Sequence, residues 1–279
     1  MTVKPAIYLS GNKRKLYPNI APYLQDGKRK VLVDMFGGSG TVTLNCVKDK
    51  LFEQVIYNDK SWFLYGLQDW LKHHCVLEDI VSVNNRYPFD KDGYLAMRDF
   101  YNKNGCLDYN YLYNLQCRSN SNMMRFSKNG FNMTYGERHY CNIERVKEHR
   151  LLLQGVKLSN MDFGDLIEQL LEGGLLSGTT VYLDPPYYGT TATYNENGGW
   201  TQNDNTSMLE YCLELYRSGA KVVISNVFEN KGKVHQELID WCQLHSDKFD
   251  VHHLNISYNN SSFRKSNQNT DEVLIVSKS

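Results

Sequence analysis

Four consecutive residues carry the sharpest chemical signal in the chain. Asp184, Pro185, Pro186 and Tyr187 close an apolar run, Thr180 to Leu183. A diproline holds the backbone extended and rigid. It aims the Asp184 carboxylate and the Pro185 carbonyl together into the cleft at the strand's carboxyl end. Both groups are acceptors, and together they can hold the two hydrogens of an –NH₂ group. Tyr187 offers a flat face on which a planar ring can stack. This set suits methylation of an aromatic amine. Such an amine donates its lone pair into the ring and is a poor nucleophile. Two acceptors pulling on its hydrogens shift the nitrogen toward tetrahedral and free the lone pair for a methyl group. The work is orientation and electrostatics and needs no strong base. A nucleobase carrying that amine cannot be reached inside a duplex, so it must be flipped out.

A second motif lies earlier in the chain. Asp34 precedes a turn with glycines at 37, 38 and 40, and Asp59 follows 19 positions after Gly40. A glycine-rich turn after a first strand lets backbone approach a ligand closely. A carboxylate ending the second strand can accept hydrogen bonds from ribose hydroxyls. The pattern is not Gly-x-Gly-x-x-Gly, which disfavours a nicotinamide dinucleotide. Asp34 could reach the ammonium of a methionine moiety. A glycine turn of this kind also occurs where only packing requires it.

The elements that must position these residues follow from periodicity. Lys30 to Asp34 and Gln54 to Asn58 read as strands, with Thr41 to Lys50 a helix between them, which makes a βαβ unit. Farther on, Val156 to Asp162, Thr180 to Asp184 and Lys221 to Ser225 read as strands. Asp165 to Leu176, Ser207 to Arg217 and Val234 to His245 read as helices. Asp250 to Tyr258 and Asp271 to Lys278 read as a closing antiparallel pair. Alternating strands and helices predict an α/β fold, a doubly wound, mostly parallel sheet. Residues from about Asn85 to Arg150 break this rhythm. They are rich in Tyr, Asn, Arg and Met and read as an inserted, largely helical module. Gly189 to Asn205 is full of Thr, Asn and Gly, and Thr190 to Asn205 within it reads as a mobile loop bordering the cleft that orders when the substrate binds.

Composition narrows the partners. The chain has 279 residues, enough for one α/β core with an insertion. It has no apolar stretch of membrane-spanning length and no signal-peptide core at Met1 to Lys15, so a cytosolic location is expected. Seven scattered cysteines form no Cys-x-x-Cys pair, which points to reduced thiols and no metal. The net charge is zero, but it is unevenly distributed. Residues 1–30 carry +6 and residues 118–150 carry +4, against −3 and −7 in the two segments that follow them. Two basic regions on a neutral protein can build one phosphate-facing surface, or can be ordinary solvated faces.

Taken together and in this order, Phe36 to Gly40 and Asp184 to Tyr187 resemble the α-class amino-methyltransferases. Further segments resemble the Dam family of DNA adenine methyltransferases, especially its phage-encoded members. These are Ser10-Gly11-Asn12-Lys13, Asn58-Asp59, Ser121 to Arg125 with Gly130 to Arg138, Ser225-Asn226 and Thr270 to Leu274. The resemblance runs from residue 6 to residue 276. It implies a Rossmann-like fold that uses S-adenosylmethionine (AdoMet) and acts on double-stranded DNA, transferring methyl to adenine N6 in GATC or a related short site. It assigns residues 1–84 and 151–279 to the catalytic domain and 85–150 to an inserted target-recognition domain. By the same resemblance Tyr8, Ser10, Gly11, Asn12, Lys13, Asp34, Phe36, Gly37, Gly38, Asp59, Asp162, Phe163 and Asp184 surround AdoMet. Asp184, Pro185, Pro186 and Tyr187 hold the adenine. Ser121, Asn122, Met123, Arg125, Thr134 and Arg138 read DNA, Arg being suited to guanine and Met123 to the gap a flipped base leaves. Each Arg could equally contact phosphate.

Two positions depart from the family pattern. Leu9 stands where an aromatic is usual, so either that ring is displaced or Tyr8 supplies it. Thr134 stands where a proline is typical, which bears on site preference. Alternatives of other kinds are methylation of cytosine N4, of RNA or of a protein glutamine, and a catalytically inactive DNA-binding relative.

Overall fold

The computed structural model describes residues 2–137, 141–174, 176–187, 199–230, 232–254 and 270–278. Its centre is one sheet. β1 (Val31–Asp34), β2 (Gln54–Asn58), β5 (Val156–Ser159), β6 (Thr179–Leu183) and β7 (Lys221–Asn230) run parallel. β10 (Thr270–Ser277) enters antiparallel between β7 and β9 (Phe249–His253). The order across the sheet is β5-β2-β1-β6-β7-β10-β9, with a short β8 (Lys233–Val234) paired to β7. All five residues of β6 are buried, as expected of a parallel strand covered on both faces. The chain winds outward from β1 through β2 to β5, then returns to place β6 on the other side of β1. That reversal opens a crevice at the carboxyl ends of β1 and β6.

Strand alternation divides the core. Leu32, Val55, Tyr182 and Val223 pack toward α1 (Tyr17–Leu24) and α2 (Thr41–Lys48). Val33, Val181 and Ile224 face the opposite way, toward α8 (Phe163–Gly173), α9 (Gln202–Arg217) and α10 (Gln236–Leu244). α8 contributes Phe163, Leu166, Ile167 and Leu170, the spacing of one helical face. Each such side chain, buried, contributes about 1.5–3 kcal/mol. A third cluster lies around α3 (Trp62–His73), α4 (Leu77–Arg86), α5 (Lys91–Lys103), α6 (Tyr109–Arg118) and α7 (Ile143–Leu153). A two-stranded hairpin, β3 (Phe126–Ser127) and β4 (Gly130–Phe131), projects from it.

Several predicted boundaries move, each for a local reason. The strand expected over Val156 to Asp162 ends at Ser159. Asp162 instead caps α8, its Oδ1 accepting from the Gly164 amide at 2.9 Å. α9 starts at Gln202 and not at Ser207, because Thr201 and Asp204 form a reciprocal capping box. Residues 202–205, expected as loop, are therefore helix, while most of the expected cleft-bordering loop (188–198) lies outside the described residues. Val234, expected to open a helix, pairs with β7 alongside Lys233, and α10 begins at Gln236. β7 continues five residues beyond the predicted Ser225. The expected limits of the insertion, 84/85 and 150/151, fall inside α4 and α7. The apolar cluster of the insertion is continuous with Tyr57 and Val156 of the sheet.

Candidate active site

The crevice is a cleft of about 640 Å³ between the ends of β1, β2 and β6. Its floor is the glycine turn. Gly40, with φ of 79°, caps α2, and the first turn of that helix reaches back to β1. There Thr43 donates to Asp34 Oδ2 from its amide at 3.1 Å and from its hydroxyl at 2.6 Å. Burial pushes the Asp34 carboxyl up to about 7; the Thr43 hydrogen bonds oppose this, and the charges of Asp184 and Asp59 add to it. Asp59 accepts from the Gly38 amide at 2.8 Å and the Ser61 amide at 2.9 Å. Burial raises it to about 6 against those two bonds. A Cβ on Gly37 would lie 2.3 Å from the Tyr57 ring, and one on Gly38 would lie 3.1 Å from Leu9. Only glycine lets the chain pass here.

The diproline segment forms the opposite wall. Register pairs Asp34 with Tyr182, so Asp184 lies just beyond the end of β1. Lys13, 5% exposed, reaches across from the N-terminal segment. Its Nζ lies 2.8 Å from Asp184 Oδ1 and donates to the Tyr187 hydroxyl at 2.8 Å, 5.0 Å from the centre of that ring. Burial works against the Lys13 ammonium, but Asp184, Tyr187 and Tyr182 carry its pKa well above the usual value. Asp184 shifts upward through burial, with Lys13 pulling it back and Glu272 adding to the rise. Burial likewise pushes Tyr187 up to about 12, so it keeps its proton.

The cleft gathers most of the predicted residues. Ser10, Gly11, Asn12, Lys13, Asp34, Phe36, Gly37, Gly38, Asp59, Asp162, Phe163, Asp184, Pro185, Pro186 and Tyr187 all line it. Tyr8 does not. It is 46% exposed and its carbonyl accepts from Gln116 at 2.7 Å, while Leu9 takes the place on the wall. The chain alternates there, and the buried side belongs to Ile7 and Leu9. Lys13, expected beside the cofactor, lines the cleft and contacts Asp184 and Tyr187 there.

Of the predicted base-reading residues, Ser121, Asn122, Met123 and Arg125 lie elsewhere, on the loop that joins α6 to the hairpin, and Thr134 follows the hairpin. Ser121 has φ of 56°, and Asn122 donates to the carbonyls of Gln116 and Cys117. Met123 packs partly buried against the third cluster. Arg125 is exposed and donates to Asn132 Oδ1 at 2.6 Å, bracing the hairpin. The exposed Thr134 accepts from the Asn120 amide at 2.8 Å. Arg138 lies outside the described residues. The hairpin borders the cleft through Trp62, whose ring lies 5.0 Å from Phe126 and which also lines the cavity.

Sequence reasoning missed Lys60, Trp62, Trp200 and Asp204, which also line the cleft. Lys60 pairs with Asp162 at 2.7 Å. Trp200 meets Phe36 and Phe163 at centroid distances of 5.6 and 5.5 Å. Only the Thr201–Asp204 capping signature could have pointed to that corner.

The doubly wound sheet brings an acid-flanked glycine turn and the diproline segment to one cleft. The comparisons with known proteins sharpen this. Residues 9–256 match the family model of the D12 class N6 adenine-specific DNA methyltransferases, and the chain belongs to that family. It is 31% identical to the Type II methyltransferase M.FokI of Planomicrobium okeanokoites, over 98% of this chain and 43% of that protein. It is 30% identical to the modification methylase StsI of Streptococcus sanguinis, with the same shares. The chain thus spans about two fifths of the length of these relatives. Among solved structures, a SAM-dependent methyltransferase from Agrobacterium tumefaciens superposes with a TM-score of 0.48 at 11% identity, over 95% of this chain and 61% of that one.

Proposed function

We propose that this chain transfers the methyl group of AdoMet to N6 of a flipped-out adenine in double-stranded DNA, within GATC or a related short site. The observation that carries this reading is one cleft holding both Asp184-Pro185-Pro186-Tyr187 and the Asp34–Asp59 glycine turn.

The donor set fits AdoMet. The cofactor carries an ammonium and a sulfonium, and the cleft presents a buried carboxylate, Asp34, and a half-buried one, Asp59, whose pKa values desolvation raises. Asp34 would take the ammonium, Asp59 the ribose hydroxyls, and Phe36, Asp162 and Phe163 the adenine ring. Bound there, AdoMet supplies an electrophilic methyl on sulfur. The chain's own residues then do the orienting. Lys13 occupies Oδ1 of Asp184, leaving Oδ2 and the Pro185 carbonyl to accept the two amine hydrogens. Tyr187, kept protonated, stacks on the base. Asp184 would take the amine proton released as the N–C bond forms and the donor's S–C bond breaks, the thioether S-adenosylhomocysteine (AdoHcy) leaving neutral. Residues from α4 to α7 present the loop with Ser121, Asn122, Met123 and Arg125, and Thr134 after the hairpin, to DNA, and we assign target reading to this unit.

The test is transfer of labelled methyl from AdoMet to unmethylated duplex DNA, with the product nucleoside identified by mass spectrometry. N6-methyladenine is expected, and N4-methylcytosine or unmodified DNA would overturn the reading. Asp184→Ala should abolish transfer while AdoHcy binds within severalfold of wild type. Retention of wild-type activity in that variant would remove Asp184 from the amine-holding role.

A further inference from the structure

His149 of α7 has no part in the chemistry above, yet hydrogen bonds lead from it to both walls of the cleft. Its imidazole is fully buried, and burial pushes its pKa down to about 3, so it is neutral. The Ala6 amide donates to Nδ1 at 3.1 Å, which places the proton on Nε2. Nε2 then donates to Gln68 Oε1 at 2.8 Å. Gln68, also fully buried, directs its amide at the Gly38 carbonyl, 3.4 Å away. That carbonyl also accepts from the Tyr57 hydroxyl at 2.8 Å, and the amide of the same residue donates to Asp59. One line therefore runs from His149 through Gln68 and Gly38 to Asp59. The other runs through Ala6 into the segment whose Lys13 holds Asp184 and Tyr187. A Cβ on Gly40 would lie 3.0 Å from Gln68 Nε2, so the amide lies close against the glycine turn.

α7 is the helix by which the chain returns from the base-reading unit to the sheet. We propose that His149 is a positioning residue that ties this helix to both halves of the cleft, setting the glycine turn through Gln68 and the N-terminal motif through Ala6. The proposal rests on the methyltransferase reading. A core that needed only filling would be served as well by two apolar side chains, since replacing both partners of a buried hydrogen bond by apolar groups is nearly neutral. The pairing of two polar residues at this depth is explained by the alignment it imposes.

The two lines can be cut separately. In His149→Asn the side-chain oxygen replaces Nδ1 and keeps the Ala6 bond but falls short of Gln68. In His149→Gln the longer amide reaches Gln68 and loses the acceptor for Ala6. AdoHcy affinity by calorimetry and kcat at saturating AdoMet and DNA are the readouts. We expect His149→Asn to weaken AdoHcy about three- to tenfold with kcat nearly unchanged, and His149→Gln to lower kcat by a similar factor with AdoHcy affinity kept. Gln68→Met, which leaves His149 in place, should reproduce the affinity loss and serves if a His149 variant does not fold. Folded variants with wild-type values, or variants in which both quantities fall in equal proportion, overturn the proposal. A wild-type protein that binds no AdoHcy overturns the methyltransferase reading itself, which separates the two failures.

Discussion

Acidification should weaken cofactor binding through Asp34, and the size of the effect follows from its setting. Burial places the free-protein pKa of Asp34 at about 7, so near neutrality a large fraction of the protein carries a protonated Asp34. A bound ammonium favours the carboxylate. Affinity is therefore full above that pKa and is lost as pH falls below it. Between about pH 7.5 and about pH 6 the Asp34 linkage predicts a loss of about eightfold in affinity. Asp59, at about 6, adds roughly a further twofold if it must be ionised to accept from ribose. The α-amino group of AdoHcy, beside a free carboxylate, stays protonated over this range and offsets nothing. The net expectation is about a fifteenfold rise in the Kd of AdoHcy, measured by calorimetry in buffers of matched ionic strength. Asp34→Asn should bind more weakly and lose most of the pH slope. An affinity that is flat with pH, that improves in acid, or that keeps its full slope in Asp34→Asn would refute the assignment of Asp34 to the ammonium.

Other outcomes follow from the same geometry. Lys13→Ala removes both the charge and the hydrogen bond that lower the Asp184 pKa, so the acid limb of kcat should move to higher pH, with a larger loss at pH 6 than at pH 8 in steady-state rates. An unshifted profile would remove Lys13 from the control of Asp184. Gly37→Ala drives a Cβ into the buried Tyr57 ring and should cost about 1–3 kcal/mol in denaturant unfolding, with AdoHcy binding lost as the turn deforms. Arg125→Ala should leave AdoHcy affinity unchanged and weaken binding to duplex DNA in a salt-dependent titration.

Much of the fold could be read in the chain. β2 falls on the predicted residues, and the glycine turn and the diproline bend occur where their residue types demand. Strand alternation, helix periodicity and the φ restrictions of Gly and Pro act over a few residues, so they leave a local trace. Boundaries failed where a capping side chain overrode periodicity, as Asp162 does at α8 and Thr201 at α9. A break in rhythm over residues 85–150 coincides with the helices and hairpin from α5 to α7. Their lack of a separate core was not legible, because a Tyr-rich helix looks the same whether it packs on its own module or on the sheet.

By itself, the sequence determined the chemistry on offer: an acceptor pair and a ring at Asp184 to Tyr187, and carboxylates flanking a glycine turn. Tertiary structure decided who meets whom. It brought Lys13 to Tyr187 across 174 positions, turned Tyr8 outward in favour of Leu9, and set His149 behind the glycine turn. Such pairings depend on the sum of many weak packing contacts over the whole chain, and no single residue carries a record of that sum.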